Sequence, residues 1–135
     1  MFTRFEYDSF NNVTKQIGEF LAGEEATARV TEFRYDADGN LSETIDALGN
    51  SSFQTNDEFG RPTTVTDRRG NTTTLEYDQL IGSPTKVINP DLTEQTFTYD
   101  SNGRPLTQTN ELGVVVQTIV YDELGRQLSI AGAGS

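Results

Sequence analysis

The sequence of 135 residues has no cysteine, no histidine and no tryptophan. Without cysteine there is no disulfide, no thiolate metal site and no cysteine nucleophile. That absence suits an exported bacterial protein as well as a cytosolic one, so it fixes no compartment. Without histidine the Ser-His-Asp and Cys-His arrangements, His-ligated zinc and the commonest general base near neutral pH are excluded. Basic residues are scarce, 10 Lys and Arg against 21 Asp and Glu, for a net charge of −11. A surface of that sign repels phosphate backbones and anionic headgroups, so neither nucleic acid nor membrane insertion is expected. Its plain role is to keep a sheet protein soluble. No apolar run approaches the ~18 residues of a transmembrane helix. The opening MFTRFEYDSF lacks the basic-then-apolar pattern of a signal peptide.

The apolar fraction of 33 % is thin for a two-layer globule, yet 8 Phe and 5 Tyr are too many for a disordered chain. Threonine is abundant, nineteen by count, and favours strands over helices. Twelve glycines point to many turns.

Those turns recur at a fixed period. Asp36, Asp57, Asp78, Asp100 and Asp122 are spaced by 21, 21, 22 and 22 residues. Tyr35, Tyr77, Tyr99 and Tyr121 precede four of them, and Asn56 breaks the pattern. Asp46, Asp67, Asn89 and Asn110 form a second series, spaced by 21, 22 and 21 and interleaved with the first. One unit is therefore a half-repeat. An earlier unit, YDSFNN at 7–12, precedes Asp36 by 28 residues. The excess falls in KQIGEFLAGEEATA (15–28), a helix-friendly stretch read as a lengthened turn carrying about one helical turn, with a strand resuming near Arg29.

Asp followed three residues later by Gly is the chemistry of a tight corner. The carboxylate accepts hydrogen bonds from the amides of the next two or three residues and fixes a type I turn. The glycine then closes a bulged hairpin loop in the left-handed conformation. The corner pairs are Asp36 with Gly39, Asp46 with Gly49, Asp57 with Gly60, Asp67 with Gly70, Asp100 with Gly103, Asn110 with Gly113 and Asp122 with Gly125. Asn11 fills the glycine place of the first unit. Asp78 and Gly82 bound a loop one residue longer. In INPDLTEQ, Leu92 stands where glycine belongs, and a distorted corner is expected.

Between corners lie about six strand-like residues, such as TTTLEY (72–77) and QTFTY (95–99), with apolar and polar positions alternating. The expected fold is all-β: an antiparallel meander of about ten short strands in one curved sheet. One face carries Tyr, Phe, Leu, Ile and Val, the other Thr, Ser, Gln and Glu. Corners alternate between the two borders, so Tyr7, Tyr35, Tyr77, Tyr99 and Tyr121 reach one border as a ladder, stacking through the intervening strands.

Tyr-Asp-x-x-Gly-[Arg/Asn] units alternating with Thr-Asp-x-x-Gly-Asn units at this period resemble RHS/YD repeats, from Tyr7 to about Ile130. The family occurs in bacterial Rhs polymorphic toxins, the C components of insecticidal Tc toxin complexes, wall-associated proteins and animal teneurins. The resemblance implies a long sheet spiralling into a hollow shell, which in the toxins encloses a C-terminal toxic polypeptide. It implies further YD repeats, of the same or another chain, as partners. It also implies a secreted or cell-surface setting within a larger bacterial protein. Complete shells use many more repeats, and the family's Asp-Pro-x-Gly-Leu segment for releasing cargo is not found here. The expectation is a fragment of wall: one YD-repeat domain over 1–135, with repeats at about 7–130, the insertion at about 15–28 and a tail at 131–135.

Other readings are weaker. DADGN (36–40) imitates the start of a calcium loop, but the twelfth residue is Ala47 and the flanks are strand-like, so no metal or other cofactor is expected. The recurrent carboxylates sit at turn starts, where accepting amides explains them without catalysis. The alternative is a carbohydrate- or cell-surface-binding module, with Tyr99 and Tyr121 as the candidate glycan contacts. A non-catalytic structural module that self-associates is the primary reading, because a solitary sheet cannot bury its apolar stripe alone.

Overall fold

The computed structural model describes residues 2–20 and 28–132, and every regular element in them is a β-strand. The strands are β1 (Phe2–Tyr7), β2 (Val13–Phe20), β3 (Val30–Tyr35), β4 (Leu41–Ile45), β5 (Ser51–Asn56) and β6 (Pro62–Thr66). They continue as β7 (Thr72–Tyr77), β8 (Pro84–Ile88), β9 (Glu94–Tyr99), β10 (Pro105–Thr109), β11 (Val115–Tyr121) and β12 (Gln127–Gly132). Their order in the sheet is their order in the sequence, an open antiparallel meander. There are twelve strands rather than about ten, because the stretches before Asp8 and after Gly125 pair as well.

The expected insertion is shorter than its composition suggested. Lys15 to Phe20 belong to β2, with Lys15 opposite Glu6 on one side and Glu32 on the other. Pairing on both sides overrides the weak helical propensity of these residues. Positions 21–27 lie outside the described residues.

The chain divides at Thr72/Thr73 into two compact units. In the first, Phe5 faces Gln16, Phe33 faces Thr44 and Gln54 faces Val65 across their hairpins. In the second, Leu75 faces Val87, Phe97 faces Gln108 and Ile119 faces Ile130. Alternate residues share a face, so these pairs lie on the face of the hairpin-end tyrosines. The stripe is apolar with glutamines interspersed. The opposite face carries threonines and the ion pairs Lys15–Glu32, Arg34–Glu43 and Lys86–Glu94.

Ile17, 7 % exposed, is the one buried hydrophobic residue among those described. With so little buried area, hydrophobic transfer cannot dominate within a unit. Strand ladders and cross-strand pairs carry the fold instead, each pair contributing roughly 0.2–1 kcal/mol. Threonine hydroxyls form several, including Thr55–Thr64 at 2.7 Å, Thr66–Thr72 at 2.8 Å and Thr98–Thr107 at 2.7 Å.

Candidate functional surface at the corners

Ten hairpin corners lie among the described residues, and nine are built on one plan. The amide of the first residue bonds the carbonyl of the fifth, and the amide of the fourth bonds the carbonyl of the first, at 2.8–3.2 Å. The loop at Asp78 is one residue longer, with Gly82 N donating to the Asp78 carbonyl at 3.0 Å. Each glycine at the closing place has a φ between 73° and 85°. Asn11 and Leu92 take the same place at φ 67° and 68°.

The corner at Asn89 is therefore not distorted as its sequence suggested. Leu92 accepts the left-handed conformation while the ladder on either side holds the loop in register. The side-chain bonding there is rearranged: Asp91 accepts the Thr93 amide at 3.1 Å and its hydroxyl at 2.6 Å.

In eight corners the Oδ1 of the first residue accepts two amides, those two and four positions on. For Asp122 these are Leu124 N at 3.0 Å and Arg126 N at 2.8 Å. In seven of them the side chain of the fifth residue closes a further bond. Asn12, Asn40, Asn50 and Asn71 donate from Nδ2 to their own aspartate. Arg61, Arg104 and Arg126 donate from Nε to Asp57, Asp100 and Asp122 at 2.6–2.7 Å. Each arginine thus pairs with the aspartate of its own corner, and the Arg104 charge also reaches Asp122 in the next corner of that border. A tight loop already brings first and fifth residues side by side.

These bonds hold the aspartates below the usual carboxylate range. At Asp8, Asp36, Asp100 and Asp122 the leading cause is the fifth residue's amide. At Asp46 and Asp67 it is the side-chain amide of Asn50 and Asn71. At Asp78 it is the Ile81 amide, and at Asp91 the Thr93 hydroxyl. At Asp57 partial burial pushes the other way and is outweighed by the bonds from Arg61. All of these are ionised acceptors with their amide donors in place.

The two borders differ. Between successive hairpins the ladder stops two residues short of the tyrosine border, and a side chain bridges the gap. Tyr35 Oη donates to the Val13 carbonyl at 2.7 Å, Tyr99 Oη to Pro84 at 2.7 Å and Tyr121 Oη to Pro105 at 3.0 Å. Asn56, which interrupts the tyrosine series, makes the equivalent bond, from Nδ2 to the Leu41 carbonyl at 2.9 Å. Each accepting residue is the first of the preceding strand. The link therefore runs to the strand alongside, and the border residue works as a strap between hairpins. Tyr77 closes β7 half-buried, and Tyr7 closes β1, 55 % exposed. Burial raises the Tyr99 phenol above its ordinary range.

Neighbouring corners also touch along this border. A Cβ on Gly60 would come within 2.7 Å of Asn40 Oδ1, and one on Gly125 would run into Arg104 Nη1. The Arg104 guanidinium lies 4.6 Å from the centroid of the Tyr121 ring. Across the other border, Gly49, Gly70 and Gly113 have open space around them.

A hollow of about 760 Å³ lies by the first two corners of the tyrosine border, lined by Asp8, Phe10, Asn12, Tyr35 and Asp36 among others. Both aspartates are already bonded to amides. Tyr121 has its hydroxyl engaged and one ring face covered by Arg104, and Tyr99 has its hydroxyl engaged.

One feature was missed in the sequence: the third residue of a corner is often large and apolar. Phe10, Leu48, Phe59, Leu80, Leu112 and Leu124 stand there, 63–95 % exposed. The signal lies in DALG, DEFG, NELG and DELG, at a turn position whose residue type varies beside the recurrent Asp or Asn and Gly.

Residues 57–94, spanning four consecutive corners, match the family model described as RHS Repeat. The match lies within the central part of the chain, and the repeat period carries the same corners to either side of it. The crystal structure of TcdB2-TccC3-Cdc42 matches 96 % of this chain and 8 % of its own, with a TM-score of 0.71 and 19 % identity. That of TcdB2-TccC3 matches 97 % of this chain and 8 % of its own, with a TM-score of 0.69 and 19 % identity. The Photorhabdus luminescens Tc holotoxin pore matches 88 % of this chain and 6 % of its own, again at 0.69 and 19 %. At such identity the likeness is one of fold. The chain spans less than a tenth of the length of the chains it matches. No curated protein matches the sequence.

Proposed function

We infer that the chain is a non-catalytic wall segment of a larger RHS shell, belonging to a secreted or cell-surface bacterial protein whose sheet encloses a toxin polypeptide. The observation that carries this reading is the uniform corner-and-strap plan. The turn aspartates are committed to amides, and Tyr35, Tyr99 and Tyr121 to neighbouring carbonyls, so these recurrent residues build surface. A plan that repeats in constant register can be extended without limit, which suits a module occupying a small part of a long chain. The fold shared with the Tc toxin structures supports the same direction.

Sequencing the coding region on either side tests the reading. Further Tyr-Asp units followed by an Asp-Pro-x-Gly-Leu segment and an unrelated C-terminal domain are expected. In the intact product, that C-terminal domain should resist protease until the sheet is denatured. A flanking sequence without such units, or a C-terminal domain digested at the rate of an exposed one, would overturn it.

A further inference from the structure

We propose that the hollow between the Asp8 and Asp36 corners is a seat for an arginine side chain of a second polypeptide, its guanidinium meeting the rings of Phe10 and Tyr35 and the carboxylates of Asp36 and Asp38. All four residues line the hollow of about 760 Å³, together with Gly39. It lies wholly within the first compact unit. What fills the same place at other corners of this border shows what it takes up.

Elsewhere a side chain from one corner covers the closing glycine of the next. Asn40 reaches over Gly60, Ile81 over Gly103 and Arg104 over Gly125. Gly39 differs from these three, with nothing within 4 Å of its Cβ position. The cause is Asn12, the fifth residue of the Asp8 corner as Arg104 is the fifth of the Asp100 corner. Its short side chain is turned to its own aspartate, Nδ2 donating to Asp8 Oδ2 at 3.0 Å. A unit preceding β1 would, by the same rule, cover Asn11 and Tyr7 and leave Gly39 and Tyr35 as they are.

Two contacts point to a guanidinium as the ligand. Arg61 lies over the Phe59 ring, 5.0 Å from its centroid, and Phe59 holds the third place of its corner as Phe10 does in the Asp8 corner. Arg104 lies 4.6 Å from the centroid of the Tyr121 ring, and Tyr121 precedes Asp122 as Tyr35 precedes Asp36. In both contacts the arginine holds the fifth place of its corner, the place of Asn12. No cation of the described residues lies over the Phe10 or Tyr35 ring, and Phe10 is 84 % exposed. The same two ring positions are thus bare where the chain's own fifth residue is too short to stack on them.

The charge around the hollow has the matching sign. Asp8 and Asp36 are engaged by amides of their own corners, yet so is Asp122, and the Arg104 charge still acts on it. Asp38 adds a carboxylate with no hydrogen bond or ion pair among the described residues. The cation on the lining, Arg34, is held by Glu43 at 2.7 Å. A net charge of −11 draws a basic partner at long range. The hollow is larger than one arginine side chain, leaving room for the backbone that carries it, so the ligand is a polypeptide and not the free amino acid. The seat depends on these two corners and not on any enclosed cargo, so its failure and that of the wall-segment reading are separate results.

Amide NMR of the labelled chain tests the seat with the peptide acetyl-Gly-Arg-Gly-amide, whose ends carry no charge. Saturable shifts are expected at residues 8–12 and 35–39. The same peptide with citrulline, close in shape and uncharged, should bind roughly tenfold more weakly. Asn12→Arg supplies the guanidinium from within the chain and should abolish the shifts. Asn71→Arg adds the same charge at the other border and should leave them unchanged. Phe10→Ala removes an exposed ring without touching the bonds of its corner, and should weaken binding roughly two- to fivefold. No saturable shifts with the arginine peptide, equal binding of the citrulline peptide, or tighter binding of a lysine peptide or of free arginine would each overturn the proposal. Equal effects of Asn12→Arg and Asn71→Arg, or no effect of Phe10→Ala, would do the same.

Discussion

Gly125 at the tyrosine border has two duties, a left-handed turn and room for Arg104, while Gly113 at the other border has only the first, which predicts an energetic difference between Gly125→Ala and Gly113→Ala. Both positions have a positive φ, 79° and 73°. An L-residue in that conformation costs roughly 1–2 kcal/mol, lessened by the smaller unfolded-state entropy of alanine, for about 1 kcal/mol net. Gly113 has open space around its Cβ position, so nothing is added there. At Gly125 the new methyl displaces the Arg104 guanidinium, which lies over the Tyr121 ring. Losing that contact at a solvent-facing site costs roughly a further 0.5–1 kcal/mol. Gly125→Ala should therefore destabilise by about 1.5–2 kcal/mol, and Gly113→Ala by about 1. Urea unfolding reads the difference as a shift in midpoint at constant slope. The difference must vanish in an Arg104→Ala background, where the double-mutant cycle gives a coupling of about 0.5–1 kcal/mol. Equal costs for the two glycines in the wild-type background, or a cycle with no coupling, would refute the contact between corners.

Three further outcomes follow from the same geometry. Leu92→Asn should raise stability by about 0.5–1 kcal/mol, since asparagine tolerates the φ of 68° that strains leucine; a lower melting temperature would show that the 80 % exposed Leu92 side chain has a contact of its own. Tyr99→Phe removes the 2.7 Å strap to Pro84 and should cost about 0.5–1 kcal/mol, with faster amide exchange at the adjoining strand ends; unchanged exchange there would deny the strap its role. Because the folded corner aspartates titrate below their unfolded range, their stabilisation is complete above the unfolded carboxylate pKa of about 4 and is lost as pH falls through the lower folded values. Amide protection, measured against the intrinsic exchange rate at each pH, should therefore fall on acidification in the Asp100 and Asp122 corners well before it falls in the Asn110 corner, which has no carboxylate proton to gain; an equal fall would refute it.

The sequence alone determined the corners and their period. Asp, Gly and the Asn or Arg that follows act within five residues of one another, so spacing is enough to reveal them. Strand alternation is as local, and it set the all-β meander. Even the exposed third position of the corner was legible in DALG and NELG, had the variable residue been weighed.

What joins one hairpin to the next lay beyond such reading. Tyr121 and Pro105 are 16 residues apart and Tyr35 and Val13 are 22 apart; they meet only because the ladder between them fixes a register. The same cause let Asn56 replace a tyrosine without loss of the link, and kept Leu92 in a glycine's conformation. It also extended β2 through residues of helical propensity. Tertiary pairing decided these points because a ladder supplies many cooperative hydrogen bonds, and a single residue's local preference, worth about 1 kcal/mol or less, yields to them.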